Sequence, residues 1–248
     1  MVRHIFKLFL FAFLLPLIAY GIWWTSKPHA DSWSTADWSS AKLLPSARSE
    51  PAATVTVYSA PTGRWKGVFA VHTWLVIKEA SADKYTRYDV TGWTQPIKVN
   101  EWAPDARWFG NMPRLVGRVA GADAEKLIPK IKKAVAAYPA RKPGDYRIWP
   151  GPNSNSFVAA ILAEVPEAGI ALPPNAVGRD WRSTSGLYAG ASPSRTGLQV
   201  SLFGLLGLTV ARTEGIELNM LGLVFGFDWQ LMALKLPGWG NVPLLGLK

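Results

Sequence analysis

Residues 150–157 read Pro-Gly-Pro-Asn-Ser-Asn-Ser-Phe, and an apolar run, 158–165, follows at once. A Pro-Gly-Pro turn feeding such a run sets Asn153 or Ser154 at a helix start. A helix start presents unpaired N–H groups and partial positive charge. That suits a nucleophile, because the same donors can hold a developing oxyanion. A serine hydroxyl alone is a poor nucleophile and needs an adjacent base, most often histidine. The chain has three His; His4 precedes an apolar segment and His29 follows it, which leaves His72. Asp89, beside Tyr88 and Arg87, falls on the next β-type run and is the chemically preferred group to orient an imidazole. The candidate catalytic set is His72, Ser154 and Asp89, with the Ser154 N–H in an oxyanion hole.

The same residues have a structural reading. Asn153 and Ser154 are good N-caps, and Pro-Gly-Pro is ordinary turn chemistry. A strand histidine serves equally as a hydrogen-bonded core residue, with Asp89 facing solvent or in a strand-end ion pair. A non-catalytic ligand pocket is the third reading, with Asn153, Asn155, Tyr88, Arg107 and Trp108 as its binding residues. Arg107 and Arg179 suit an anionic group, but pairing with Asp105 or Asp180 is the favoured reading.

The elements that must position these groups follow from periodicity. Residues 54–59, 67–78 and 85–93 read as strands, the last two joined by a turn at 80–84 and forming an antiparallel pair. The two-residue period puts His72 on one face with Val68, Ala70, Trp74 and Val76. A further segment runs over 107–119. Residues 122–138 read as a helix with a stripe of Leu127, Ile131, Val135 and Tyr138, broken or restarted at Pro129. Residues 155–165 form a second helix, stopped by Pro166. Trp33 and Trp38, within 31–42, suggest a short helix. Past a Ser-, Gly- and Pro-rich stretch at 183–196, the apolar runs 197–213 and 216–236 predict a β-hairpin or small β-unit around Glu214-Gly215. Arg212, Glu214 and Glu217 interrupt these runs and argue against a second membrane span.

At the other end, Arg3, His4 and Lys7 precede the uncharged run 8–24, at the lower edge of what spans a bilayer. Basic residues before the run place the N-terminus in the cytoplasm. Cleavage after Gly21 as a signal peptide is the rival, but the Trp23-Trp24 pair suits an interfacial anchor. Either way the body works outside the cytoplasm. The chain divides into a membrane segment (1–24), a linker (25–50), an α+β core (51–182) and a C-terminal β-rich appendage (183–248).

Composition narrows the chemistry. Lys plus Arg is 27 against 17 for Asp plus Glu, a net charge of +10. The positives are scattered, and an exported protein meets little nucleic acid, so membrane lipid, an anionic envelope polymer or an envelope protein are the expected partners. There is no cysteine, which excludes disulfides, thiolate metal sites and a cysteine nucleophile. With one histidine in the body, neither a metal nor a cofactor is expected. The thirteen Trp read as core packing and membrane-belt residues rather than a sugar platform.

Two resemblances bear on these residues. Val71-His72-Thr73-Trp74, residues 88–93, Arg107-Trp108-Phe109-Gly110, residues 150–157 and residues 172–180 together resemble the bacterial family called domain of unknown function 3750. That likeness spans about residues 50–182 and implies a membrane-associated bacterial protein. More distantly, Asn153-Ser154-Asn155-Ser156-Phe157 is similar to the Asn-Cys-x-x-Phe motif of circularly permuted papain-like (NlpC/P60-type) proteins, in which a strand His comes first. Ser154 stands where that family has its nucleophilic Cys, so the likeness implies a scaffold more than an activity. The preferred expectation is an α+β, membrane-anchored, non-catalytic module binding an envelope ligand or partner. The alternative is an envelope amide or ester hydrolase, or an acyltransferase, using Ser154 with His72 as base.

Overall fold

The computed structural model describes residues 2–181 and 186–244. It opens on one helix, α-helical over Val2–Phe9 (α1) and Leu15–Thr25 (α2), with a π-helical stretch Leu10–Leu14 between them. Phe6–Thr25 is long and apolar enough to cross a membrane, and among the described residues no other helix is. Pro16 sits in the first turn of α2, where its missing N–H is least missed. One side of the helix is seated on the body. The Phe13 ring lies 6.1 Å from that of Phe225, and Tyr20 lies 5.1 Å from Trp239. The Trp239 Nε1–H donates to the Pro16 carbonyl at 2.9 Å, and the Trp24 Nε1–H to the Arg64 carbonyl at 3.2 Å. Gly67 permits this seat, because a Cβ there would fall 2.3 Å from the Trp24 ring.

After the helix the chain runs in turns and bends, not in the short helix expected around Trp33. Packing decides this: Trp33 lies 3.7 Å from Trp38, and both rings crowd against Trp102, Trp108 and Phe109. A helix would hold the two indoles to its own periodicity.

Five antiparallel strands follow: β1 (Thr54–Pro61), β2 (Val71–Lys78), β3 (Thr86–Val90), β4 (Ile97–Val99) and β5 (Arg114–Ala120), in the order β4-β3-β2-β1-β5. Both faces of the central strands are covered, and every residue of β2 is buried. Val71, Leu75 and Ile77 join Leu127, Ile131, Phe157 and Ile161 in a core beneath helices α3 (Ala122–Ala137) and α4 (Ser154–Ala163). On the other face Trp74 and Val76 pack with Tyr58 and Trp108. Two expectations are corrected. Residues Arg64–Val68 form a 3-10 turn under α2, so the strand starts at Val71 rather than residue 67. Helix α3 runs unbroken through Pro129, since burial of Leu127, Ile128 and Ile131 offsets the one lost backbone bond.

The C-terminal unit is a seven-stranded antiparallel meander: β6 (Leu187–Ala191), β7 (Gly197–Leu202), β8 (Leu206–Ala211), β9 (Gly215–Met220), β10 (Leu223–Asp228), β11 (Ala233–Leu236) and β12 (Gly240–Pro243). The hairpin expected at Glu214-Gly215 is β8–β9. The sheet is inside out. Gln199, Ser201, Thr209, Glu217, Asn219 and Lys235 are buried, while Leu198, Val200, Leu206, Leu208, Val210 and Ile216 are exposed. The inward face is satisfied by charge. Glu217 accepts from Arg179 and, at 2.6 Å, from Lys235; Asp180 accepts from Gln199 at 2.9 Å and Asn219 at 2.7 Å. Glu217 therefore points away from the apolar surface that its charge seemed to interrupt.

Candidate functional site

His72 sits near the start of β2, with a side chain only 4% exposed. Its Nε2 lies 2.9 Å from Asp89 Oδ1. Asp89 is fully buried, not solvent-facing, and its second partner explains how. Arg87 grips it from two residues away, Nε donating to Oδ2 at 2.7 Å and Nη2 to Oδ1 at 2.8 Å. The guanidinium also donates to the Ala103 carbonyl at 2.8 Å and lies over the Trp74 ring at 4.3 Å. Burial pushes the Asp89 carboxyl up, but the Arg87 charge and the bonds from His72 and Arg87 outweigh it and hold the pKa below the ordinary value. The carboxylate is thus ionised and accepts the His72 Nε2–H. For His72 burial is the largest influence and keeps its pKa below 6.5, against the raising effect of Asp89. The ring is neutral, with its lone pair on Nδ1.

Asn153 caps α4. Its Oδ1 accepts from the N–H groups of Asn155 at 2.9 Å and Ser156 at 3.1 Å, and the Ser156 hydroxyl returns the bond by accepting from Asn153 N–H at 2.7 Å. This is the capping box. Asn155 then ties the helix start to β2. Its Nδ2 donates to the Val71 carbonyl at 2.9 Å and the Val177 carbonyl at 2.8 Å, and its Oδ1 accepts from Thr73 Oγ1 at 2.9 Å. Val71 and Thr73 flank His72. Ser154, one residue before Asn155, is thereby brought beside the strand segment that carries the imidazole.

Both His72 and Ser154 line one cavity of about 440 Å³. Among the described residues neither His72 Nδ1 nor Ser154 Oγ has a hydrogen bond, and neither is a sealed buried atom. Most of the remaining wall is apolar: Trp65, Phe69, Trp93, Phe109, Ile148 and Trp149 contribute, with Leu221 from the C-terminal sheet. Tyr146 also lines it, its phenol pushed up to about 12 by burial. A cavity of this kind with a serine and a neutral imidazole in its lining suits either the polar end of an amphiphile or acyl transfer.

The other candidates divide. Trp108 is at the cavity, stacked on His72. Asn153 and Asn155 line it, but their amides are committed to capping and to β2. Tyr88 packs against the core beneath the helices and does not line the cavity. Arg107 does not line it either; it pairs with Asp37 at 3.5 Å and donates to Ser39 and Ser40. It does not pair with Asp105, which instead accepts from Ser40 Oγ and the Leu43 and Leu44 N–H groups. Arg179 does lie 3.9 Å from Asp180, though Glu217 is its closer partner. Sequence reasoning missed most of the aromatic wall, because Trp65, Phe69, Tyr146 and Trp149 come from turns with no periodicity. Among the described residues no three His, Asp or Glu side chains gather to hold a metal ion.

No curated protein and no solved structure matches the chain, so the papain-like resemblance gains nothing from them. A family model does match, over residues 52–181, just over half of the chain and the span that contains His72, Asp89 and Ser154. The chain therefore belongs to the family described as Protein of unknown function (DUF3750).

Proposed function

We propose that this is a membrane-anchored protein of the bacterial envelope whose cavity binds an amphiphile, the apolar part against the aromatic wall and the polar end at His72 and Ser154. One observation carries the reading: a mostly apolar cavity whose lining includes a serine hydroxyl and an imidazole nitrogen that make no hydrogen bond among the described residues. Apolar pockets with few polar groups are the common form of small-molecule sites. The helix Phe6–Thr25 serves as a retained anchor rather than a cleaved signal, because Phe13, Tyr20 and Trp24 are buried against the body. The basic N-terminus then stays in the cytoplasm and the body lies in the periplasm. The net positive charge favours anionic lipid or an anionic envelope polymer as its surroundings. The test is titration of the full chain in detergent micelles with a fluorescent fatty-acid analogue. Saturable binding weakened by Trp149→Ala and by Ile148→Asp supports the reading; wild-type protein with no saturable binding defeats it.

A second reading is acyl transfer, favoured by Ser154 and a neutral, oriented His72 lining the same cavity. Ser154 Oγ forms a bond to an ester or amide carbonyl carbon while its proton passes to His72 Nδ1. That proton then leaves with the alcohol or amine as the old bond breaks. Water or a second alcohol reverses the steps and frees Ser154. The Ser154 N–H, at the helix start, donates to the oxyanion. The order, strand histidine first and helix-start nucleophile later, is that of the permuted papain-like proteins. Labelling by an alkyl fluorophosphonate, lost in both Ser154→Ala and His72→Ala while amphiphile binding persists, supports this reading. Labelling that survives Ser154→Ala sinks it.

A further inference from the structure

The seven-stranded sheet turns its apolar residues outward and its charges inward, the reverse of an antiparallel sheet facing water. Leu198, Val200, Leu206, Leu208, Val210 and Ile216 form one continuous surface on β7, β8 and β9, each 43% exposed or more. A patch of this kind marks an interaction surface. What covers it can be read from its neighbour. The N-terminal helix packs on this same face: Phe13 meets Phe225, which alternates outward on β10 with Leu223 and Phe227. Further along the helix, Pro16, Tyr20 and Trp23 meet Trp239 in the β11–β12 turn.

Phe13 to Trp23 is about 15 Å of helix, half of a hydrocarbon core about 30 Å thick. A helix that crosses a bilayer with Trp23 at the interface puts Phe13, and with it Phe225, near the midplane. The sheet surface beside it then has no aqueous phase to meet. Glu217, Asp228 and Lys235, which would forbid such a position if they faced outward, are paired with one another or with Arg179 on the inner side.

We infer that the outward face of the β7–β9 region is a lipid-contacting surface, resting among acyl chains of the leaflet that holds the C-terminal half of the N-terminal helix. This rests on that helix being a membrane span. It also brings Leu221, in the β9–β10 turn, and with it the rim of the His72 cavity, to the lipid side.

The chain has no cysteine, so single cysteines can report position. Val200→Cys and Leu208→Cys probe the sheet face. Phe11→Cys, on the exposed side of the helix, probes the span, and Lys126→Cys, on α3, probes the aqueous surface. Each full-length variant carries an environment-sensitive fluorophore and is reconstituted in phosphatidylethanolamine–phosphatidylglycerol vesicles. Each is first shown to share the wild-type unfolding midpoint; Leu198→Cys or Ile216→Cys replaces any sheet variant that does not. Doxyl-labelled lipid is expected to quench the sheet sites as it does Phe11→Cys, and iodide to reach them several-fold less than Lys126→Cys. If Phe11→Cys is lipid-quenched but the sheet sites are open to iodide, the span stands and the inference falls. If the sheet sites are shielded from both quenchers, a protein covers them and the inference falls. If Phe11→Cys is itself open to iodide, the span reading fails and takes the inference with it.

Discussion

The His72 imidazole lies flat on the Trp108 indole, ring centroids 3.6 Å apart and planes 3° from parallel. One face of the ring is closed by this contact and its Nε2 is held by Asp89. Trp108→Ala removes a buried indole and is expected to cost about 3–5 kcal/mol, the usual range for such truncations. Denaturant unfolding measures it. Trp108→Phe keeps a stacking ring and is expected to recover most of the loss.

Asp89→Asn leaves the Arg87 charge buried without a counter-charge. A buried pair broken on one side typically loses about 3–5 kcal/mol. Arg87→Met combined with Asp89→Leu removes both charges and should be markedly less damaging than the sum of the single changes, a coupling that a double-mutant cycle reads directly.

Acid should act through His72 and Asp89. His72 has a folded-state pKa below its ordinary 6.5, so the unfolded chain takes up the proton first. Its contribution is fully present above pH 6.5 and is lost as pH falls below that value. The Asp89 pKa lies below 3.8, so its contribution is lost only in stronger acid. The stability of wild-type protein is expected to decline below pH 6.5, and His72→Phe to lack that limb of the curve. Equal declines in both proteins would contradict the assignment of a buried neutral imidazole.

Asn155→Leu removes the bond to the Val71 carbonyl and the shorter of two amide bonds to the Val177 carbonyl, and leaves Thr73 Oγ1 only the Ser154 carbonyl at 3.5 Å. Each buried group left unpaired costs about 1–3 kcal/mol. The helix start also comes loose from the His72 segment, so amphiphile affinity should fall even at temperatures where the variant stays folded. Asn153→Asp keeps the cap acceptor and the Asn155 tie to β2 while losing the donors to the Ile148 and Val177 carbonyls; it is expected to hold affinity better than Asn155→Leu.

Gly67→Ala places a methyl 2.3 Å from the Trp24 ring and 2.6 Å from the Thr62 carbonyl. One of these must move, and the expected result is a weakened seat for the helix end. Limited proteolysis at residues 26–50 should accelerate, while cutting within α3 stays unchanged.

The strands and helices of the core were largely legible because burial there follows a period. The α4 start announced itself through Asn153, Ser154 and Pro152, and the histidine through scarcity. The fate of Asp89 was not legible: its burial depends on Arg87, two residues away on the same face, and on Trp74 and Trp102 closing over that guanidinium. The C-terminal sheet shows a deeper limit. Alternation in 215–220 separates Ile216 and Leu218 from Glu217 and Asn219, but a two-residue period names two faces without saying which one is inside. Arg179, some forty residues earlier, decides that by pairing with Glu217.

The clamp on His72 has a thermodynamic consequence. A side chain free to rotate must give up its rotamer freedom, and reorder its solvent, each time it meets a partner. His72, stacked on one face and bonded at one nitrogen, has already surrendered that entropy on folding. Whatever approaches Nδ1 from the cavity meets a lone pair of fixed direction, and the free energy of the encounter is left almost wholly to the contacts the newcomer itself makes.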